Sequence, residues 1–509
     1  MRDPVLRLDT SVRRVPLLSG TRVVIVPMGD DDVVLRPPAP PAQVVDTAAA
    51  VRDALRFPLS GPPLDSIAPR GGRATILVEP WALPLPSANP DPRQEALAAT
   101  MRALELSHVR NERQTILVAG GLGRRFGQRE LERLLPPPQA RAFRGKVVVH
   151  DAASEELVAI AGGSRIHPAL LETELVVVLS AAETVLHGGP RTLVAACDAT
   201  TSRGGEAADS LLEAGAASEW DRALEIEDAV GRVVPLLGVS LVLDLPRLTG
   251  AFKGYPDDAE AVARLGRSWT RAVFSRLPRP LRRDILETIG RRIAATAAFA
   301  GPPSVAHAEA LLRGVELRGA RLEEPLDTLV MGAPWVGPHV PREPVNAVTA
   351  AAVALGLALR LYRNEFPLRP DGTLVLCHPL TRSFAPGIQA PYARMFEALQ
   401  EARTPDDLTA AETAAAGDER ALAAYRSGKA CHPLLPFADW AECAPALTRV
   451  GRVVVAGCRD AIAARTLGLV PSRSIATALE MAHGVADENA RSGILLAPPY
   501  SPLLVGKRS

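Results

Sequence analysis

The stretch Glu174–Val194, ELVVVLSAAETVLHGGPRTLV, decides how the chain is read. An uninterrupted apolar run leads into a glycine turn, Gly188-Gly189, and then into a proline and an arginine that can open a helix. Such a run suits a strand covered on both faces, and a strand that turns through glycines into a helix is the local unit of a parallel sheet. The turn also poses a chemical question, because backbone amides, a helix start and Arg191 meet where an anion can be held.

The same grammar recurs on either side. TRVVIVP (21–27), RATILVE (73–79), QTILVAG (114–120), GKVVVHD (145–151) and LLGVSLVLDL (236–245) are short, rich in Val, Ile and Leu, and bounded by Gly, Pro or Asp. Helical patterns lie between them, at 92–106, 128–135, 207–215 and 219–230. This alternation predicts an α/β fold of two lobes, each a mostly parallel sheet with flanking helices, and a cleft between them.

The arginine-rich stretch 256–301 reads as mostly helical and bridges the lobes, with a boundary near 320. Beyond it LDTLVMGAP (326–334), a long helix over 344–366, GTLVLCHP (372–379) and GRVVVAG (451–457) rebuild a smaller α/β unit. The segment 401–429 reads as surface helices. The expected domains are therefore 1–320, 321–492 and a final strand within 493–509 that returns to the first domain.

Composition narrows the function classes. At 509 residues the chain exceeds one core, and 58 Lys+Arg against 57 Asp+Glu leave no global field of the kind nucleic acid requires. No apolar run reaches the length of a membrane span, and the start lacks a signal-peptide core, so a cytoplasmic protein with neither nucleic acid nor membrane as partner is expected. The five cysteines, Cys197, Cys377, Cys431, Cys443 and Cys458, never form CxxC and read as reduced packing residues. No GxSxG, HExxH or Walker loop is present.

Several residues carry candidate chemistry. In GGLGRRFG (120–127), Gly121 and Gly123 give a turn compatible with a phosphate, and Arg124 and Arg125 can neutralise one. A nicotinamide-dependent oxidoreductase is one reading of that turn, although the ribose-binding acid expected about 20 residues on is missing. His150-Asp151 stands at a strand end, where a histidine beside a carboxylate can serve as acid or base; a structural cap is the competing reading. His187 is the titratable side chain of the GG loop and the loop's candidate metal ligand. Trp335 and His339 in PWVGPH, and His378 with Arg382 after GTLVLCHP, are candidates for gripping a small anionic substrate.

In order, these pieces resemble the nickel-pincer lactate racemases and their hydroxyacid racemase and epimerase homologues: a glycine turn, an HD dipeptide after a strand, then a strand leading to a GG loop. The likeness extends through 225–254 and, in the second lobe, through LDTLVMGAP, DGTLVLCHP and PSRSIATALEMA (471–482). It implies a two-lobed fold and racemase or epimerase chemistry on a 2-hydroxyacid. It also implies a nickel-bearing pyridinium mononucleotide tethered to a loop lysine, with histidines as metal ligand and as paired acid and base.

The resemblance breaks at the residues that carry this chemistry. The tethering lysine falls on Arg191, whose guanidinium cannot make the usual thioamide link. The family's histidines fall on Gly123, near Ala181 and around Ala207. Its Gln-x-x-Lys falls on Asn346 and Thr349, and its early nucleotide-binding motif falls on EPWALP (79–84), where Glu79 replaces the acid. A divergent homologue that has lost the nickel cofactor and acts as a binding or regulatory protein is thus a second expectation, beside the racemase and the oxidoreductase.

Overall fold

The computed structural model describes residues 14–41, 43–205, 207–214, 218–334, 339, 343–402, 404–484 and 490–506. Its first sheet has six strands in the order 295–301, 236–243, 176–181, 74–78, 114–118, 146–149. All are parallel except the edge strand Ala295–Gly301, which runs antiparallel to Leu236–Leu243. Numbered along the chain the order is 6-5-4-1-2-3, so it reverses between Ala74–Val78 and Val176–Ala181. In open α/β sheets that switch point is where strand ends and loops splay apart to leave a crevice.

The central strands form because the Val, Ile and Leu side chains of both faces are covered. Ala74–Val78 and Val176–Ala181 are buried at every position. The helix Pro92–Leu106 covers one face and lies where the sequence pattern sets it. Asp91 caps its first turn by accepting from Arg93 N, and Pro92 occupies the first position, where no amide is needed.

The second sheet also has six strands, in the order 470–472, 452–456, 368–377, 326–332, 492–495, 33–35, all parallel. Ser492–Leu495 pairs between Leu326–Gly332 and Val33–Leu35, a strand from the N-terminal part of the chain. The segment that crosses between units is the N-terminal one. The hairpin of Arg14–Ser19 and Arg22–Pro27 packs on the second sheet rather than entering the first.

Three local expectations also change. ATAAFAG within 256–301 is the edge strand Ala295–Gly301, not helix. Residues 207–214 form no helix, because their polar groups are used across the molecule: Leu211 N donates to Arg360 O at 2.8 Å, and Arg360 Nε to Ala208 O at 2.8 Å. The expected long helix starts at Ala347, loosens into a π-helical turn over 352–357 and ends in a tight turn at Arg360. It is apolar on every side and wholly buried, as such a helix must be.

That helix joins Leu122, Val185 and Trp220 of the first unit and Leu434 and Phe437 of the second in one continuous apolar cluster. The space between the sheets is thus occupied by core at these positions. Every cysteine among the described residues is a free thiol.

Candidate functional site

A small cavity of about 50 Å³, partly open to solvent, lies at the switch point of the first sheet. Val78, Glu79 and Trp81 come from the end of the first strand in the chain, and Leu179, Ser180, Glu183 and His187 from the end of the fourth. Arg93 reaches it from the first turn of the helix behind.

The GG loop forms one wall, and its geometry requires glycine. Gly188 and Gly189 have φ of 92° and 56°. A Cβ at Gly189 would lie 2.4 Å from His307 Cβ, and one at Gly188 2.5 Å from Ala181 O. Backbone and buried imidazole approach too closely for any side chain. His307 is fixed in turn, with Nε2 2.9 Å from Thr184 O.

The anion held by this turn is the protein's own carboxylate. Gly188 N donates to Glu79 Oε2 at 3.1 Å, while Gly189 N donates to Ser180 Oγ at 2.9 Å. The helix that follows, Arg191–Val194, is a single turn. Arg191 pairs with the buried Glu219 at 3.5 Å. The loop amides and the arginine are thereby engaged within the protein.

The acid–base groups are strongly perturbed. Burial pushes the Glu79 carboxyl up to about 7, while the neighbouring Thr192 hydroxyl, the Arg191 guanidinium and the Gly188 amide pull it back. Burial pushes Glu183 up to about 8, against the nearby Arg93. Arg93 sits 3.4 Å from Glu183, forks onto both oxygens of Asp91 at 2.9 Å and lies over the Trp81 ring. His187 is lowered to about 4, by burial first and then by Arg191, and its Nδ1 stands 2.9 Å from Thr184 Oγ1. Near neutral pH the cavity therefore holds two carboxyls close to their midpoints and a neutral imidazole.

The other sequence candidates lie apart. His150 Nε2 is spent on Cys197 O at 2.8 Å, and burial lowers the ring to about 4. Asp151 caps Ala153 N and pairs with Arg125 at 3.5 Å. His150, Gly121, Gly123, Arg124 and Arg125 line a separate, smaller hollow of about 10 Å³ that shares only Pro80 with the cavity.

The glycine turn follows the second strand, away from the switch point, and its amides are used internally: Gly121 N donates to Ala195 O and Gly123 N to Gly120 O. Tyr425 and His432 cover it, bonding to Gly121 O and Leu122 O. Arg124 pairs with Glu130, and Arg125 donates to Arg426 O at 2.6 Å.

In the second unit, Asn346 and Thr349 cap the buried helix reciprocally, at 3.0 and 2.8 Å. His339 bonds to Asp439 at 2.9 Å, and Asp439 also accepts from Tyr392 at 2.6 Å. Burial opposes charge on His339, but Asp439 raises it overall. His378 is buried at the end of its strand, and Arg382 pairs with Asp460 at 2.7 Å. Trp335 lies outside the described residues.

Sequence reasoning missed Glu183, Arg93, Trp81 and His307. Glu183, three residues past a buried strand's serine, carried a legible signal, an acid at a strand end. Trp81 lies in EPWALP, where only Glu79 was singled out, while Arg93 and His307 come from segments with no chemical motif, and the fold brings them together.

Sheet order and flanking helices define the class, an α/β protein, and the comparisons place its fold beside that of lactate racemase. Residues 20–180 match the family model of the lactate racemase N-terminal domain. The lactate racemase apoprotein from Thermoanaerobacterium thermosaccharolyticum is similar in fold, with a TM-score of 0.59 at 13% identity, covering 96% of this chain and 99% of that one. A protein from Thermotoga maritima aligns at a TM-score of 0.48 and 10% identity, over 91% of this chain and 100% of that one. No curated protein sequence matches. Among the described residues no helix is long and apolar enough to cross a membrane.

The tethered nickel nucleotide does not fit the residues present. Only four lysines exist, Lys146, Lys253, Lys429 and Lys507, and none lines the cavity. Arg191 is ion-paired, and the Asn346/Thr349 pair is consumed as a cap. Among the described residues no three His, Cys, Asp or Glu side chains gather as metal ligands.

Proposed function

We propose that this lactate racemase-like protein works without a tethered nickel nucleotide and binds a small organic anion, a 2-hydroxyacid or a relative of one, in the switch-point cavity. One observation carries this reading. The cavity between the ends of the first and fourth strands is walled by Glu79, Glu183 and His187, with Arg93 and Arg191 behind them. Carboxyls raised to about 7 and 8 are largely neutral at lower pH, so they do not repel an anion there. A neutral carboxyl can also donate a hydrogen bond to a bound carboxylate or hydroxyl.

The test is calorimetric titration of the full chain with D- and L-lactate at pH 6 and pH 9. The proposal expects binding at pH 6 that weakens at pH 9, where both carboxyls are ionised. No heat at either pH, or equal affinity at both, would refute it.

Racemase or epimerase chemistry is a second reading, favoured by the pairing of two titratable carboxyls in one cavity, since inverting a carbon centre needs a proton acceptor and a donor. Glu79 and Glu183 would take those roles, and His187 would orient the ligand's oxygen. Proton NMR of L-lactate incubated with the protein in deuterium oxide tests it; loss of the C2 proton supports it, and an unchanged signal leaves binding alone. The nicotinamide-dependent oxidoreductase has less support, because the GGLGRRFG turn lies off the switch point and spends its amides internally.

A further inference from the structure

The second sheet is parallel throughout, so its strand ends share one edge. There the strand Leu368–Cys377 ends in His378, which is buried and whose Nδ1 has no partner. The turn of the N-terminal hairpin folds over this edge. Gly20 N donates to Ala333 O at 2.8 Å, and the Gly20 Cα lies so close that an added Cβ would be 3.9 Å from His378 Nε2.

An arginine cluster converges on that turn. Arg282 is only 6% exposed, although it lies just beneath the surface, and its Nη2 is 3.4 Å from Thr21 Oγ1. Its Nη1 donates to Ser275 O and Leu277 O, at 3.2 and 2.6 Å, and its Nε has no partner. Arg22 follows Thr21 directly. Arg279 stands one turn before Arg282 on the helix Arg279–Glu287. Arg459 is tied to the same place, its N donating to Leu380 O at 3.3 Å.

Nothing among the described residues neutralises this group. Arg22, Arg279 and Arg459 are exposed and take part in no ion pair. Nearby acids are committed elsewhere, Asp460 to Arg382 at 2.7 Å and Glu287 to Arg283 at 3.0 Å. Burial lowers the affinity of Arg282 for its proton, and Arg22, Arg459 and Arg279 lower it further, with no carboxylate acting in the other direction. A covered arginine is normally paired. A covered guanidinium beside a turn that carries further arginines is an arrangement that a bound anion relieves, and forked guanidinium donors match the oxygens of a phosphate.

We propose that this edge of the second sheet binds a phosphate group, gripped by Arg22, Arg279 and Arg459 over the covered Arg282. The site is separate from the switch-point cavity and does not depend on what that cavity binds.

The test is a titration of the full chain, at fixed ionic strength in chloride, with inorganic phosphate and in parallel with glycerol 3-phosphate, followed by 31P NMR line broadening. Saturable binding is expected, weakened at least tenfold in the double variant Arg279→Gln/Arg459→Gln. Both residues are exposed, so the fold is retained. Arg283→Gln, which removes the same charge from the same helix at a residue paired with Glu287, is expected to bind as the parent does. Tighter binding of the phosphomonoester would identify a phosphorylated small molecule as the ligand, and equal binding would identify free phosphate. Binding that never saturates, or that falls equally in the double variant and in Arg283→Gln, would overturn the proposal.

Discussion

Replacing Glu183 by glutamine should leave stability almost unchanged at pH 5 and increase it at pH 8. Glutamine copies the shape of the neutral carboxyl that burial enforces. An unfolded carboxyl near 4.5 is raised to about 8 in the folded chain. Between those values the folded chain keeps a proton that the unfolded chain has released, so this group's contribution is present below pH 4.5 and is lost as pH rises through 8. At about 1.36 kcal/mol per pH unit, the parent loses roughly 3 kcal/mol from Glu183 between pH 5 and pH 8. The variant has nothing to lose. With an unfolding entropy of about 2.1 cal/mol/K per residue, that difference moves the melting midpoint of a chain this long by roughly 3 °C. Paired thermal melts at the two pH values measure it. If Glu183→Gln shifts Tm by the same amount at pH 5 and pH 8, the carboxyl is not held neutral and the electrostatic account of the cavity fails.

Gly189→Ala places a Cβ 2.4 Å from His307 in a backbone with φ of 56°, and should cost about 2–4 kcal/mol, read as a lower Tm. Asn346→Ala removes a helix cap and should cost about 1 kcal/mol while leaving lactate titrations unchanged; a loss of binding would instead make Asn346 a ligand contact. His150 follows the opposite sign to Glu183, since burial lowers it from 6.5 to about 4, so its contribution is lost as pH falls through that window. His150→Gln should therefore flatten the decline of stability between pH 6.5 and pH 4.5, as followed by urea unfolding. Arg191→Lys should acquire no nickel when made alongside the cofactor-producing enzymes, because the histidines around the tether are also missing; metal analysis checks this.

Much of the fold was legible because its strands are short apolar runs, most of them buried on both faces. Ala74–Val78, Gln114–Val118, Lys146–Val149, Val176–Ala181 and Leu236–Leu243 all fall within the apolar runs. Ala295–Gly301 escaped notice because an alanine-rich edge strand after arginine-rich helices carries no β signature. Residues 207–214 looked helical, but bonds to Arg360 override that local preference.

The site was half legible. Glu79, His187 and the GG loop were visible at strand ends, whereas the cavity itself depends on strand order, which no local pattern encodes. His150 and Asp151 were attractive for the same reason as Glu79. Their strand, Lys146–Val149, lies at the edge of the sheet, far from the reversal, so their side chains serve Cys197 and Arg125 instead.

The central claim is that a lactate racemase-like fold here operates without the tethered nickel nucleotide. Intact-mass spectrometry, denatured and native, with nickel analysis of protein produced alongside the enzymes that make that cofactor, tests it most directly. The account predicts the mass of the unmodified polypeptide and no stoichiometric nickel. A covalent adduct carrying one nickel per chain would contradict it.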